Sequence, residues 1–259
     1  MRAQDFLDHC RQVAPWVNWC KTVDAVMAGP ADAEVAGIAA TWLATNAVLR
    51  EAAERGLNFV ISHEGAFYQT FAGSEPGKRH HEEKRQLIDE LALTLMRCHD
   101  TWDRMPDVGI VDAWATFLGF ETEPRPVESY YRICRVEGRR MEDVARHVLD
   151  RVRPLGQRAV EMMGNPDKKV HRMAVGTGAI TRLDDMALLG CDIILATDDG
   201  IHTTNSGLWS LDLDIPVLVV SHATAELPGM KAMVGYLEEH FPGVPVEYLP
   251  CEFPRTLLT

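Results

Sequence analysis

The chain has 259 residues with 46% hydrophobic and 25% charged residues, an ordinary globular composition that excludes a disordered or low-complexity protein. Lys and Arg number 26 against 38 Asp and Glu, a net charge of −12, which works against binding nucleic acid or an anionic membrane. No stretch approaches about 18 uninterrupted apolar residues, the start MRAQDFLDHCRQ lacks an apolar leader core, and the six cysteines form no C-x-x-C pair, so a cytoplasmic protein with reduced thiols is expected.

In chain order, residues 2–28 read as one helix or two short ones, with Pro15 interrupting a loose apolar face. Gly29-Pro30 marks a turn, and EVAGIAATW (34–42) is a weak strand. Thr45 or Asn46 caps a helix that Gly56 ends, and the strand NFVIS (58–62) follows. Strand, helix and strand in this order predict a parallel βαβ unit. Residues 65–83 read as a polar, basic excursion, with the KRHH run (78–81) on a solvated loop. A helix is expected over about 82–96, then a short strand or helix end at 96–98, then the HDTWD segment (99–103) and a helix within VGIVDAWATFLGF (108–120).

Between 121 and 138 two prolines and the loss of helical period place a lobe junction near 121–125, dividing the chain into lobes 1–125 and 126–259, with a short strand around YYRICRV. MEDVARHVLDRV (141–152) is a helix that Pro154 closes. Beyond it come the strand HRMAV, the glycine turn GTGAI, a helix over RLDDMALLG and the strand DIILAT (192–197). A polar loop with Asn205-Ser206-Gly207, the strand IPVLVVS (215–221), a helix that Pro228-Gly229 interrupts or starts, and the strand VPVEYL complete the chain. The short Val, Ile and Leu runs lack strict alternation, as expected for strands covered on both faces, so the fold class is α/β.

Four of the apolar runs stop at polar, metal-capable or glycine-rich ends: NFVISHE, MAVGTG, DIILATDD and IPVLVVSH. His63, Glu64, His222 and Glu226 are ligand types for a hard-to-borderline divalent metal, and strand ends are where open α/β folds place their sites. His222 and Glu226 are four apart, a spacing that puts both on one helix face, although a satisfied histidine beside a solvated glutamate has the same pattern. Gly65 permits the turn that both His63 and Glu64 need to face one point. Asp103 is either a ligand or a helix cap, and His99 orients it or moves a proton. Asp198, Asp199 and His202 fit either a site or a helix start. Cys98, beside His99, reads as packing before nucleophile. The Gly176–Gly178 turn lacks G-x-G-x-x-G and G-x-x-x-x-G-K-[ST], so a tight turn is favoured over a nucleotide cradle.

Together these segments resemble the Nif3-like family, also called the dinuclear-metal or type 2 GTP cyclohydrolase I-like family. ISHEGAF (61–67) looks like its His-His segment, HDTWD like its H-T-x-L-D, MAVGTGA like its V-x-G-G-S-G-x, ATDD (196–199) like its T-G-D or T-G-E, and VVSHATAELPG (219–229) like the segment of its last two ligands. KTVDAVMAG resembles its W-D-N-x-G-L-x-x-G opening. The resemblance implies two interlocked α/β lobes with mixed sheets covered by helices, and a homo-oligomer, commonly a hexameric ring. It also implies two divalent ions held by His63, Glu64 in place of a second histidine, Asp103 as a bridge, His222 and Glu226. Candidate ions are Mn, Fe and Zn, with Mg a further candidate because Glu64 adds an oxygen ligand. Asp198 stands where the family has glycine, and MAVGTG lacks the double glycine, so the substrate is left open.

On this reading the protein is a metal-dependent hydrolase-like enzyme for a small, nucleotide-like substrate, with metal-activated water as nucleophile and His99 transferring a proton. A metal-stabilised scaffold or regulatory protein without turnover, and a nucleotide-binding α/β domain using the 176–178 turn, are the alternatives.

Overall fold

A computed structural model describes residues 1–67 and 73–251. Their contacts divide into two compact units: Met1–Asp103 together with the segment beginning at Met230, and Arg104–Gly229. Residues 121–125, where the composition changes, lie inside the second of these.

The first unit is built on a five-stranded sheet in the order β1-β4-β3-β2-β11. Its strands are β1 (Ala25–Ala28), β2 (Ile38–Thr41), β3 (Phe59–Ser62), β4 (Thr94–Arg97) and β11 (Val246–Tyr248). β2, β3 and β4 run parallel, with Thr41 beside Ser62 and Ser62 beside Arg97, while β1 runs antiparallel to β4. The βαβ unit expected over 34–62 is present, and its helix α2 (Asn46–Glu54) is capped by Thr45, whose side chain accepts a hydrogen bond from Val48 N.

All four residues of β2 and of β3 are buried, which is why these runs do not alternate. On one face Val60 and Leu95 pack with Val48, Leu49 and Ala52 of α2 and with Leu87 and Ile88 of α3 (Glu75–Glu90). Elsewhere Phe6 of α1 (Ala3–Val13) meets Phe59 edge to face at 6.1 Å between centroids. Burying one such side chain contributes about 1.5–3 kcal/mol.

Two expectations for this unit are corrected. Residues 14–28 are not helical throughout, because β1 occupies Ala25–Ala28. α3 begins at Glu75 rather than near 82: Ser74 accepts from Gly77 N, and Pro76 is tolerated in the first turn. Its large buried residues lie only in its second half, so the periodicity had no signal in the first turns, and KRHH lies on this helix instead of a loop. Residues 68–72 of the expected excursion lie outside the described residues.

The second unit carries a six-stranded sheet in the order β5-β6-β8-β9-β10-β7. Its strands are β5 (Glu121–Thr122), β6 (Arg132–Arg140), β7 (Glu161–Met163), β8 (Lys169–Val175), β9 (Ile193–Thr197) and β10 (Val217–Val220). β8, β9 and β10 are parallel, and the other pairings are antiparallel. α5 (Ile110–Leu118) and α6 (Met141–Val152) bury Trp114, Leu118, Val144 and Val148 against Met173, Ile193 and Leu218. α7 (Leu183–Ala187) packs Leu183 and Met186 with Ile194 and Val219.

Here too the sequence misled twice. Asn205-Ser206-Gly207 lies inside the helix α8 (Thr203–Asp212), whose buried residues are Ser206 and Ser210 while Leu208 and Leu211 are exposed, an inversion of the usual pattern. Pro228 neither starts nor interrupts a helix: α9 runs His222–His240 with the proline inside it, and the division between the units falls in this helix. Among the described residues no helix is long and apolar enough to cross a membrane.

Candidate metal centre

Both parallel strand sets deliver chemistry at their carboxyl ends. In the first unit Ser62 and Arg97 are register partners, so the chain leaves β3 into His63-Glu64 and β4 into Cys98-His99 at one sheet edge. β1 returns alongside β4, with Ala25 opposite Arg97, which brings Asp24 to the same edge. The buried Asp24 carboxylate accepts three backbone N–H bonds, from His99 (2.6 Å), Asp100 (2.9 Å) and Thr101 (2.8 Å). It thereby caps α4 (Asp100–Arg104), the short helix that carries Asp103.

His63 is fully buried, and its Nδ1 lies 3.2 Å from the Cys98 carbonyl oxygen. A carbonyl only accepts, so Nδ1 carries the proton, and in the neutral ring Nε2 presents a lone pair. That nitrogen lies 3.4 Å from Asp103 Oδ1. The other Asp103 oxygen lies 3.3 Å from His99 Nδ1, and the two imidazoles stack at 4.5 Å between centroids. His99 Nδ1 is also 3.1 Å from Asp100 Oδ1.

These gaps test the fit of a divalent ion. Donors bound tetrahedrally at about 2.0–2.1 Å stand roughly 3.4 Å apart. His63, His99 and Asp103 offer atoms that all lie within 4.8 Å of one another, and imidazole with carboxylate is the donor chemistry such ions take. The backbone bond on the non-ligating nitrogen is the usual support for a metal-binding histidine. The residues fit.

Burial disfavours a charged His99, yet the Asp103 carboxylate and the bond to Asp100 outweigh it and the opposing His63, so its pKa is raised. Asp100 falls to about 2, chiefly through its bond to His99, with Thr22 adding a second against the effect of burial. Cys98 is no nucleophile: its bond with Cys10 and its burial hold the thiol well above the ordinary range.

Glu64 points to a partner that the sequence did not flag. Arg97 Nη2 donates to Glu64 Oε2 at 3.2 Å, and Arg97 Nε donates to the His63 carbonyl at 3.1 Å. The guanidinium thus offsets the Glu64 charge. A Cβ at Gly65 would stand 3.4 Å from Arg97 Nη1, so this part of the turn packs directly against the guanidinium.

In the second unit Val175 pairs with Leu195 and Thr197 with Val220, so Gly176–Gly178, Asp198-Asp199 and His222 follow adjacent strand ends. His222 opens α9, so it and Glu226 share one helical turn as their spacing allows. Its Nε2 is 2.9 Å from Glu226 Oε1, its Nδ1 lies 2.8 Å from Asp199 Oδ2, and its backbone N donates to Asp198 Oδ1. Glu226 is buried, so the segment gathers carboxylates around one imidazole, a donor set suited to a cation. Gly178 has φ +66°, and a Cβ there would meet His222 Nε2 at 3.1 Å and Glu226 Oε1 at 3.5 Å. The glycine turn therefore makes room for the histidine–glutamate pair.

The structure thus gathers His63, His99 and Asp103 within the first unit and His222 and Glu226 within the second, and turns Glu64 to Arg97. Asp24 and Arg97 were missed because each is a lone charge beside a strand with no local motif. Asp199 lay in a segment that reads equally as a helix start.

Solved structures with similar folds include a hypothetical protein of Staphylococcus aureus (TM-score 0.80, 16% identity, 100% of this chain and 99% of that one). A Bacillus cereus protein related to NIF3 superposes with TM-score 0.76 at 13% identity, over 100% of this chain and 99% of that one. Reduced HcgD from Methanocaldococcus jannaschii superposes with TM-score 0.71 at 17% identity, over 96% of this chain and 98% of that one. No curated protein matches the chain in sequence. The profile of Duf34/NIF3 (NGG1p interacting factor 3) matches residues 1–253, almost the whole sequence, and the chain belongs to that family.

Proposed function

We propose that this protein is a divalent-metal-dependent hydrolase acting on a small, nucleotide-like molecule. The observation that carries the reading is the His63–Asp103–His99 constellation, with the His63 tautomer set by the Cys98 carbonyl and both Asp103 oxygens turned to imidazole nitrogens. His63 and Asp103 hold one ion in this reading. His222 and Glu226 hold a second, and Glu64 is a further carboxylate ligand in the same reading. Mn, Fe or Zn suits these donors, and Mg is admitted by the carboxylates. A divalent ion in such a site supplies Lewis acidity and brings the pKa of its water to about 7.

The chain's own groups do the rest. Asp24 fixes the helix start that positions Asp103, and Asp199 orients His222. His99, whose pKa is raised, holds a proton near neutrality at a ring nitrogen and delivers it to a leaving group. A ring C–N bond of a purine nucleotide, a phosphomonoester and an amide are all within reach of these parts. Association of copies, a hexamer by family resemblance, belongs to the same proposal.

The test is metal content of the freshly purified protein together with turnover of a hydrolase substrate panel, with and without chelator. Two equivalents of metal and turnover lost on chelation support the enzyme. His99→Asn should then lower turnover, and its metal content decides the role of His99: metal retained assigns it to proton transfer, metal lost makes it a third ligand. Metal with no turnover on any substrate supports the scaffold reading, and a folded protein that takes up no metal overturns both.

A further inference from the structure

A cavity of about 360 Å³ in the first unit lies beside the 63–64 turn, with Gly65 in its wall. Leu43 and Ala66 give it apolar surface, and Thr45, Asn46, His80 and Lys84 give it polar surface. Among the described residues no acidic side chain lines it. Lys84 is 4% exposed, and its Nζ donates to the Ala44 carbonyl oxygen at 2.6 Å. Among the described residues no carboxylate forms an ion pair with it. An ammonium has three N–H donors, and one carbonyl uses only one of them.

The start of α2 adds to the same field. Thr45 is its N-cap and Asn46 its first residue, and the Thr45 side chain occupies the N–H of Val48. The N–H groups of Asn46 and Ala47 belong to the first helical turn and have no partner within the helix. The helix contributes about half a positive charge at this end. The ammonium and the helix terminus therefore give positive potential to a cavity whose lining, among the described residues, holds no carboxylate, and the neutral His80 imidazole adds an N–H donor.

We propose that this cavity is a binding site for the phosphate group of a small phosphomonoester, with Lys84 as its principal contact and Asn46 and His80 as further donors. This deepens the hydrolase reading by naming a substrate class, and rests on that reading only for the word substrate. A buried ammonium without a counter-ion is costly, and an anion in bond distance removes the cost. The charge matches best with a dianion. The volume lies in the range of small-molecule pockets and exceeds what a bare phosphate needs, which leaves the apolar wall of Leu43 and Ala66 for an organic body.

The electrostatics of two groups agree with this placement. Burial brings the Lys84 pKa down to about 8, with no charged partner opposing it. His80 is lowered first by burial and next by the Lys84 charge, as expected of an imidazole held neutral near that ammonium.

The test uses the full chain, chelator-treated so that no metal can bind the probe, titrated calorimetrically with inorganic phosphate and separately with acetate, at a pH where Lys84 is charged. Wild type should bind phosphate saturably and more tightly than acetate, and Lys84→Met should weaken phosphate by roughly tenfold or more. Because Lys84→Met also removes the bond to Ala44, its fold is checked by circular dichroism. The exposed His80→Gln is measured beside it and should weaken phosphate severalfold with the fold intact. Absence of saturable phosphate binding in wild type overturns the proposal, as does equal affinity in Lys84→Met. Acetate binding as tight as phosphate overturns the phosphomonoester class. Binding that requires added metal and ignores both substitutions assigns the anion to the metal centre instead. Failure of the metal assay leaves the phosphate titration unaffected, so the two readings fall separately.

Discussion

Asp24→Asn changes one atom and should disturb both stability and the candidate site. The native carboxylate serves three N–H groups: Oδ1 accepts from His99 and Asp100, and Oδ2 accepts from Thr101. An asparagine keeps one oxygen. If that oxygen stays with His99 and Asp100, its NH₂ faces the Thr101 N–H, donor against donor. Asp24 is 4% exposed, so water does not rescue the contact.

Hydrogen bonds to a charged group are worth about 1.5–3 kcal/mol, against about 0.5–1.5 for neutral ones, and an unsatisfied buried donor costs about 1–3. Two weakened bonds, one lost bond and its orphaned N–H together cost about 3–4 kcal/mol after allowance for relaxation. The same change loosens α4 and with it Asp103, so metal occupancy should fall although Asp24 is not itself in the donor set. Urea denaturation followed by circular dichroism gives the first quantity, and elemental analysis gives the second. A loss under about 1 kcal/mol with metal content unchanged would refute the capping argument.

Three further outcomes are expected. In metal-free protein the folded-state pKa of His99 is raised above the unfolded value of about 6.5, so its contribution to stability is complete below that pH and is lost as pH rises through the folded value. Denaturation midpoints in chelator across this range, with an NMR titration of the ring, check the sign, and a midpoint that rises instead would contradict it. Gly178→Ala should cost about 1–2 kcal/mol from its φ of +66° and should also weaken metal uptake, because the new methyl sits 3.1 Å from His222 Nε2. Thermal melts and metal titration read the two effects. Asp112→Asn should destabilise by about 3–5 kcal/mol, because Asp112 forms a two-point ion pair with the buried Arg125 and a further bond at 2.7 Å with Arg132. A loss below about 1 kcal/mol in urea would show that the triad contributes little.

The sequence revealed most where local and tertiary forces agree. β2, α2 and β3 were legible because buried runs such as Phe59–Ser62 are apolar on both faces and Thr45 supplies a cap. His63 was legible at the end of β3, His222 and Glu226 by their spacing after the apolar run that is β10, and Asp103 in the polar HDTWD segment. What could not be read depends on partners distant in sequence. Asp24 earns its role only because β1 pairs antiparallel with β4 and delivers it to residues 99–101. Glu64 read as a ligand on residue type, and only the register that places Arg97 beside Ser62 discloses its counter-ion. Helix α8 was hidden because its buried residues are serines and its leucines face outward. Pro228 looked like a break, yet the interior of α9 accommodates it.

The most direct test of the metal reading is an anomalous difference map from crystals soaked in manganese. The account predicts a peak in bonding range of His63 Nε2 and an Asp103 oxygen, and another against His222 Nε2 and a Glu226 oxygen. A well-ordered soaked crystal with manganese elsewhere and no peak at either pair would contradict it.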